Sequence, residues 1–395
     1  MVTQSRARYL DGPVAIIGGG IGGLTAALSL QHFGVPVRVF EQARALREIG
    51  AGVTVTPNAM SVLDFLGIGQ ALAEQAGETL RYSVRSADDG RELERGPDPD
   101  SFVREFGAPY CNLHRGDLHL ALTEAVTKRD PDAIVLDHRF DHLEQGGGRV
   151  TAHFSNRAAF ASPALIGADG GASAVRDAVF GGQNASYTGH VALRALVPIA
   201  RVPQAIRDDP YALYVGAGRS LIHYPLRCQT TMNLLGNAQA PQWQAEGWSI
   251  PATVPEFLGL FEDFPEPVRA LIAAIPEAAL FKWGLRDREP LPGWTRGRVA
   301  MLGDAAHPMT PYLGQGACMA IEDGMILGRA LAASQTLAEA FSRYQAARRD
   351  RANGVQLAAR YQGTQHHGAT ASGPNSGKTA VTLGLFSYNP VTEPV

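Results

Sequence analysis

The chain has 395 residues, 45% hydrophobic and 18% charged, with a formal net charge of −3. That composition excludes a disordered polymer, and the mild acidity builds no field for nucleic acid. Cys111, Cys228 and Cys318 are few, odd in number and unclustered, which fits reduced thiols in a cytoplasmic protein better than a disulfide framework; no polybasic run or zinc-ligand spacing is present.

Val14-Ala-Ile-Ile17 is a short apolar strand followed at once by Gly18-Gly-Gly-Ile-Gly-Gly23, and Ile21 to Phe33 reads as a helix. Strand, glycine turn and helix in that order form the context of a dinucleotide site. Gly18 permits the tight turn, Gly20 lets a pyrophosphate approach the backbone, and Gly23 lets helix pack on strand. Ile21 and Gly22 open the helix, whose first-turn N–H groups and dipole attract phosphate. Pro36 to Phe40 is a second strand, ending at Glu41 and Gln42, where an acid can accept from adenosine ribose hydroxyls. The apolar stretch is shorter than the ~20 residues of a membrane span.

Further on, Asn58 to Gly67 reads as a helix, residues 79–100 as a hairpin and loop, and Arg115 to Lys128 as a helix. Strands are expected at Ala133 to Leu136, Val150 to Phe154 and Ala164 to Gly167. Short β-type runs then follow at His190 to Val197, Ala212 to Val215, Ser220 to Tyr224 and Thr230 to Leu235, as in an antiparallel sheet. Pro251 to Ile275 is helical with proline breaks, Arg298 to Leu302 a strand, and Gly316 to Ala333 and Leu337 to Tyr361 helices. The last thirty residues, rich in Gly, Ser, Thr, His and Pro, read as an extended tail.

Two later segments carry chemistry. In Gly167-Ala-Asp-Gly170, Asp169 ends a strand, with Ser173 and Arg176 at a helix start. Its carboxylate either faces cofactor phosphates or the incoming reductant, or caps the helix. In Gly303-Asp-Ala-Ala-His-Pro308, Asp304 ends an apolar strand where small neighbours permit close approach to ribityl hydroxyls. The loop Pro311-Tyr-Leu-Gly-Gln-Gly-Ala317 opens a long helix whose positive end suits the anionic pyrimidine of reduced flavin. His307 reads as a buried, hydrogen-bonded histidine. The three segments together indicate FAD.

With these residues the chain resembles the group A flavoprotein aromatic monooxygenases, in the branch of salicylate hydroxylase, 3-hydroxybenzoate 6-hydroxylase and 6-hydroxynicotinate 3-monooxygenase. The likeness runs from Val14 to Tyr361. It is carried by Gly18 to Gly23 with Glu41, Glu48 to Gly52, His114 to Leu118, Gly167 to Arg176, Trp283 to Pro292 and Leu302 to Asp323. The run His-Arg-Gly-Asp-Leu-His is most like the 6-hydroxynicotinate enzyme. The resemblance implies an α/β fold: a three-layer, Rossmann-like FAD-binding domain (1–78, 101–180 and 286–330) interrupted by a mostly antiparallel β substrate domain (79–100 and 181–285). A helical segment (331–365) and the tail (366–395) would follow. It implies non-covalent FAD, NADH or NADPH as transient co-substrate, and O2. It further implies hydroxylation of a small aromatic or N-heteroaromatic compound through a flavin C4a-hydroperoxide, with or without decarboxylation. The protein would be a monomer or homodimer with no nucleic-acid or membrane partner and no metal.

By the same resemblance Arg115, Asp169 and Asp304 would contact the cofactor, with Pro311, Gly314, Gln315, Gly316 and Ala317 flanking its ring. The chain departs from its relatives at the substrate. Tyr224 falls on the tyrosine of their substrate strand, but Ser220, Thr54 and Tyr312 stand where relatives place histidine or, at Tyr312, histidine or glutamine. Candidates for orienting a phenol are Tyr224 and Tyr312, with Arg194. His223 is a further candidate that needs a bulge to turn inward. The altered strand also motivates an alternative, a flavoprotein oxidase or a tailoring monooxygenase for a larger ring.

Overall fold

Three parallel strands, Val14–Ile17, Leu165–Gly167 and Val299–Met301, lie side by side with Ile17, Gly167 and Met301 in register. The computed structural model describes residues 9–46, 51–78, 80–182, 185–243, 247, 249–366 and 383–395. The strands belong to a six-stranded sheet in the order Thr295–Arg296, Val299–Met301, Leu165–Gly167, Val14–Ile17, Val37–Phe40, Ile134–Val135. Their near-continuous apolar sequence suits a parallel sheet covered on both faces. Helix Ile21–His32 packs against helix Gly316–Ala333, and both are almost wholly buried. A three-stranded antiparallel sheet (Phe140–Gly146, Arg149–Phe154, Ala159–Ser162) supplies a further layer.

An eight-stranded sheet forms the second body, in the order Ile250–Pro251, Phe281–Asp287, Ser186–Pro198, Thr231–Gln239, Arg219–Leu226, Ala212–Gly216, Ser83–Ser86, Glu92–Arg95. Its pairings are antiparallel except for Ala212–Gly216 with Ser83–Ser86. The pleat sorts its residues. Leu193, Ala195, Leu221 and Leu234 pack under helices Val254–Leu260 and Glu266–Ala273 with Phe257, Phe261 and Leu271. Arg194, Ile222, Tyr224 and Leu235 point the other way, since successive residues of a strand face opposite sides.

Several expectations are corrected. The loop after the hairpin contains a helix, Pro99–Phe106, capped by Asp98, with Pro99 in its first turn and Gly107 closing it at φ 74°. Strand Phe281–Asp287 and helix Gly316–Ala333 run through the domain boundaries expected at 285 and 330. The tail is not extended where it is described. Leu385 is fully buried in the main core, and Leu383, Phe386, Val391 and Val395 pack against that core. Residues 367–382, and positions 48–50 of the Glu48 to Gly52 run, lie outside the described residues.

Candidate active site

The three glycine loops leave the carboxyl ends of adjacent strands, where open α/β sheets bind nucleotides. Their glycines play different parts. Gly18 has φ +110°, and a Cβ there would run into the Ala168 carbonyl of the neighbouring loop. A Cβ on Gly23 would strike the Gly18 carbonyl, whereas one on Gly20 would meet nothing within 4 Å. Gly18 and Gly23 are thus small for the fold, and Gly20 leaves open space beside a helix start that no side chain caps.

That space belongs to a cavity of about 1320 Å³ lined by Gly20, Ile21, Gly22, Arg115, Asp304, Pro311, Tyr312 and Gly314 to Ala317, with Arg194 and Tyr224. Most of the expected cofactor and substrate residues therefore share one chamber. Glu41 stands outside the lining: one carboxylate oxygen accepts from the Gly19 N–H and the other from the Ala43 N–H, both at 2.9 Å. Gln42 is exposed and outside the lining. Asp169 is a helix cap, accepting from the Ser173 hydroxyl and from the Val175 N–H at 3.1 Å. Burial raises its carboxyl above the ordinary value, against those hydrogen bonds. Its neighbours Ala168, Gly170 and Gly171 line the cavity in its place.

Asp304 exposes its side chain to the cavity. The surrounding protein raises its carboxyl by desolvation, while His307 and Arg115 oppose the shift. It sits by the start of helix Gly316–Ala333, whose cap residue Gln315 gives no side-chain bond to the first turn. Unsatisfied N–H groups and the positive end of an 18-residue helix therefore face the chamber. Open space at Gly20, two uncapped helix starts and the Asp304 carboxylate fit a diphosphate, a polyol and an electron-rich ring, which are the parts of FAD.

At the other wall, Arg194 opposes Leu235 on the sheet, Ile222 opposes the same Leu235, and Tyr224 opposes Asn233. The Arg194 guanidinium lies 5.6 Å from the Trp283 ring centroid. Its Nε is buried without a hydrogen-bond partner, and no described carboxylate pairs with it. Burial lowers its pKa, with Tyr224 opposing and Arg115 adding. Tyr224 is 5% exposed, and its hydroxyl stands where a side chain on Gly52 would collide. Burial raises the phenol's pKa, offset in part by Arg194 and Thr54. Tyr312 packs with Trp283, Ile222 and Leu235, and burial raises its pKa too.

His223 does not join them. It is fully buried on the opposite face, with Nδ1 3.1 Å from the Pro210 carbonyl and its ring beside Tyr214. Its strand runs in unbroken register with Ala212 and Leu234, so no bulge turns it inward. Sequence reasoning missed Tyr82, Tyr110, Tyr211 and Phe386, which also line the chamber. His307 is buried as expected, 2.6 Å from Asp323. One cluster elsewhere, His142, Glu144 and His153, brings possible ligand atoms within 4.8 Å of one another. Its imidazoles stack within 5° of parallel, so their in-plane lone pairs do not converge on one ion.

Residues 11–359 match the family described as FAD binding domain. The chain belongs to this family. The 3-hydroxybenzoate 6-hydroxylase of Polaromonas naphthalenivorans (strain CJ2) is 39% identical over 359 residues, covering 90% of this chain and 88% of that protein. The 6-hydroxynicotinate 3-monooxygenase of Pseudomonas fluorescens is 35% identical, over 87% of this chain and 89% of that one. The His-Arg-Gly-Asp-Leu-His run thus does not place this family member nearer the 6-hydroxynicotinate enzyme. Klebsiella pneumoniae HpxO, solved in complex with FAD and uric acid, shares the fold with a TM-score of 0.84 at 27% identity, covering 96% of this chain and 98% of that one.

Proposed function

We propose that this enzyme, an FAD-dependent aromatic monooxygenase, hydroxylates a small phenolic or hydroxypyridine carboxylic acid, drawing its electrons from NAD(P)H. The reaction balances as ArH + O2 + NAD(P)H + H+ giving ArOH + H2O + NAD(P)+. When bound, FAD supplies the redox chemistry, taking hydride from the nicotinamide and activating O2. The protein's own groups hold, orient and enclose.

Arg194 carries the reading. A half-buried arginine whose Nε is buried without a hydrogen-bond partner, with no carboxylate pairing with it among the described residues, opens on an aromatic chamber and is a receptor for an anion. A substrate carboxylate supplies the missing charge, and Trp283 keeps the cation in place through its ring face. A phenol is protonated at neutral pH, and burial raises Tyr224 further, so its hydroxyl is a donor for the ring oxygen of the substrate. Leu213, Ile222, Leu235 and Trp283 give the ring an apolar seat that excludes water. Gln315 accepts from Asn58 Nδ2 at 3.4 Å and donates to Thr56 at 3.1 Å, which fixes the loop beneath the flavin-side wall. The three free cysteines are consistent with work in the cytoplasm. Among the described residues no helix is long and apolar enough to cross a membrane.

The test is a panel of hydroxybenzoates and hydroxynicotinates, each scored for stimulated NADH and NADPH oxidation and for product mass. At least one acid gives a product heavier by one oxygen, or by one oxygen less carbon dioxide. Stoichiometric peroxide with an oxidised, non-hydroxylated product would instead identify an oxidase.

A further inference from the structure

The chain end contributes to the chamber. Phe386 lines the cavity, although it lies beyond the residues shared with the family. Its ring makes edge contacts with Phe102 at 5.4 Å, Phe106 at 5.7 Å and Tyr110 at 6.3 Å, all three of which line the cavity as well. The Tyr110 hydroxyl is 3.2 Å from that of Tyr211, whose ring is 5.6 Å from Tyr224. One continuous aromatic row therefore leads from the C-terminal segment to the substrate strand.

The segment is anchored. Arg351 sits 3.9 Å from the Tyr388 ring centroid and donates to the Leu385 carbonyl at 3.3 Å. The same Arg351 grips the buried Glu322 with two hydrogen bonds of 2.9 Å. Arg329 donates to the Pro390 carbonyl at 2.7 Å, and Arg343 to the Val395 carbonyl at 3.1 Å.

We propose that segment 383–395 is part of the active site, with Phe386 a specificity-determining residue that closes the aromatic end of the substrate chamber. This rests on the monooxygenase reading above. Phe386 limits the length of ring system accepted and keeps water from the reacting centre. Water there diverts reducing equivalents to hydrogen peroxide instead of product.

The experiment compares FAD-loaded wild type with Phe386→Ala, Phe386→Leu, Phe386→Tyr and Tyr388→Leu, each matched for flavin content. Three quantities are read: the fraction of NADH recovered as peroxide with 3-hydroxybenzoate, the kcat/KM ratio for 3-hydroxy-2-naphthoate over 3-hydroxybenzoate, and iodide quenching of the bound flavin. Phe386→Ala raises the peroxide fraction several-fold, moves the ratio roughly tenfold toward the two-ring acid, and raises quenching. Tyr388→Leu, which frees the anchor, changes all three in the same direction. Phe386→Tyr restores wild-type values, and Phe386→Leu falls between, so a poorly folding alanine variant does not decide the matter. Wild-type peroxide fraction, ratio and quenching in both Phe386→Leu and Tyr388→Leu would overturn the proposal. If wild type hydroxylates neither acid, the two activity readouts move to the acid the panel above identifies; if no acid of that panel is hydroxylated the functional reading fails, while quenching still judges the closure.

Discussion

Asp323 accepts the backbone N–H of Gly303 at 2.9 Å, tying the long helix Gly316–Ala333 to the third glycine loop. The same oxygen is 2.6 Å from His307 Nε2, and the other accepts from Arg348 Nε at 2.8 Å. Burial alone would raise this carboxyl, yet the charges of His307 and Arg348 hold it down at about 2. Its stabilising contribution is complete above the ordinary carboxylate value of 3.8 and is lost as pH falls through about 2. Asp323→Ala leaves Arg348 buried with one partner fewer, and a destabilisation of about 3–5 kcal/mol is expected. Urea denaturation measures it, and a parallel fall in retained flavin shows that the Gly303 loop has loosened.

The glycines of the first loop separate folding from binding. Gly18→Ala forces a clash with the Ala168 carbonyl at a positive φ, so the apoprotein loses stability. Gly20→Ala meets no protein atom within 4 Å, so the apoprotein melts as wild type does but binds FAD weakly. Paired apoprotein melting curves and flavin titrations distinguish the two. Equal stability losses would refute the division of roles.

Arg194→Met removes the cation beside Trp283 and Tyr224. For an aromatic acid, kcat/KM falls roughly 10- to 100-fold, carried mainly by KM, because a charge-assisted hydrogen bond is lost. The matching carboxamide changes little. Equal losses for acid and amide would show that Arg194 does not read the carboxylate.

His223 governs stability and not turnover. Burial lowers its pKa from 6.5 to about 4, against the Pro210 carbonyl and Asp209. The unfolded chain therefore binds more protons between about pH 4 and 6.5. Stability conferred by the neutral ring is full above 6.5 and declines as pH falls toward 4, by about 3 kcal/mol at most. His223→Leu flattens that slope in denaturation experiments while KM for the aromatic acid stays within twofold, roughly the precision of the assay.

The flavin side of the chamber was legible because each strand and glycine loop is a local pattern, and parallel pairing then sets the three loops together. The side-chain period of a strand likewise put Tyr224 and His223 on opposite faces. The aromatic wall was not legible: Tyr110 and Tyr211 meet 101 residues apart, through pairing that no local signal specifies. For Asp169 a cofactor contact and a helix cap were both open, and its carboxylate bonds Ser173 and the Val175 N–H; Gln42, expected at the cofactor, is exposed and outside the chamber lining. Helix Pro99–Phe106 hid in charged, proline-rich sequence despite its Asp98 cap. Phe386 hid in a tail whose composition resembles unstructured chain, because docking depends on Arg351 and Tyr388 meeting only in the fold.

The most direct test of the whole account is isotopic. FAD-loaded enzyme is supplied with NADH, 3-hydroxybenzoate or 6-hydroxynicotinate, and 18O2, and the organic product is weighed by mass spectrometry. One atom of 18O in the aromatic product is expected for each NADH consumed in coupled turnover. Product carrying oxygen from water, or NADH oxidation that yields peroxide alone with every acid in the panel, would contradict it.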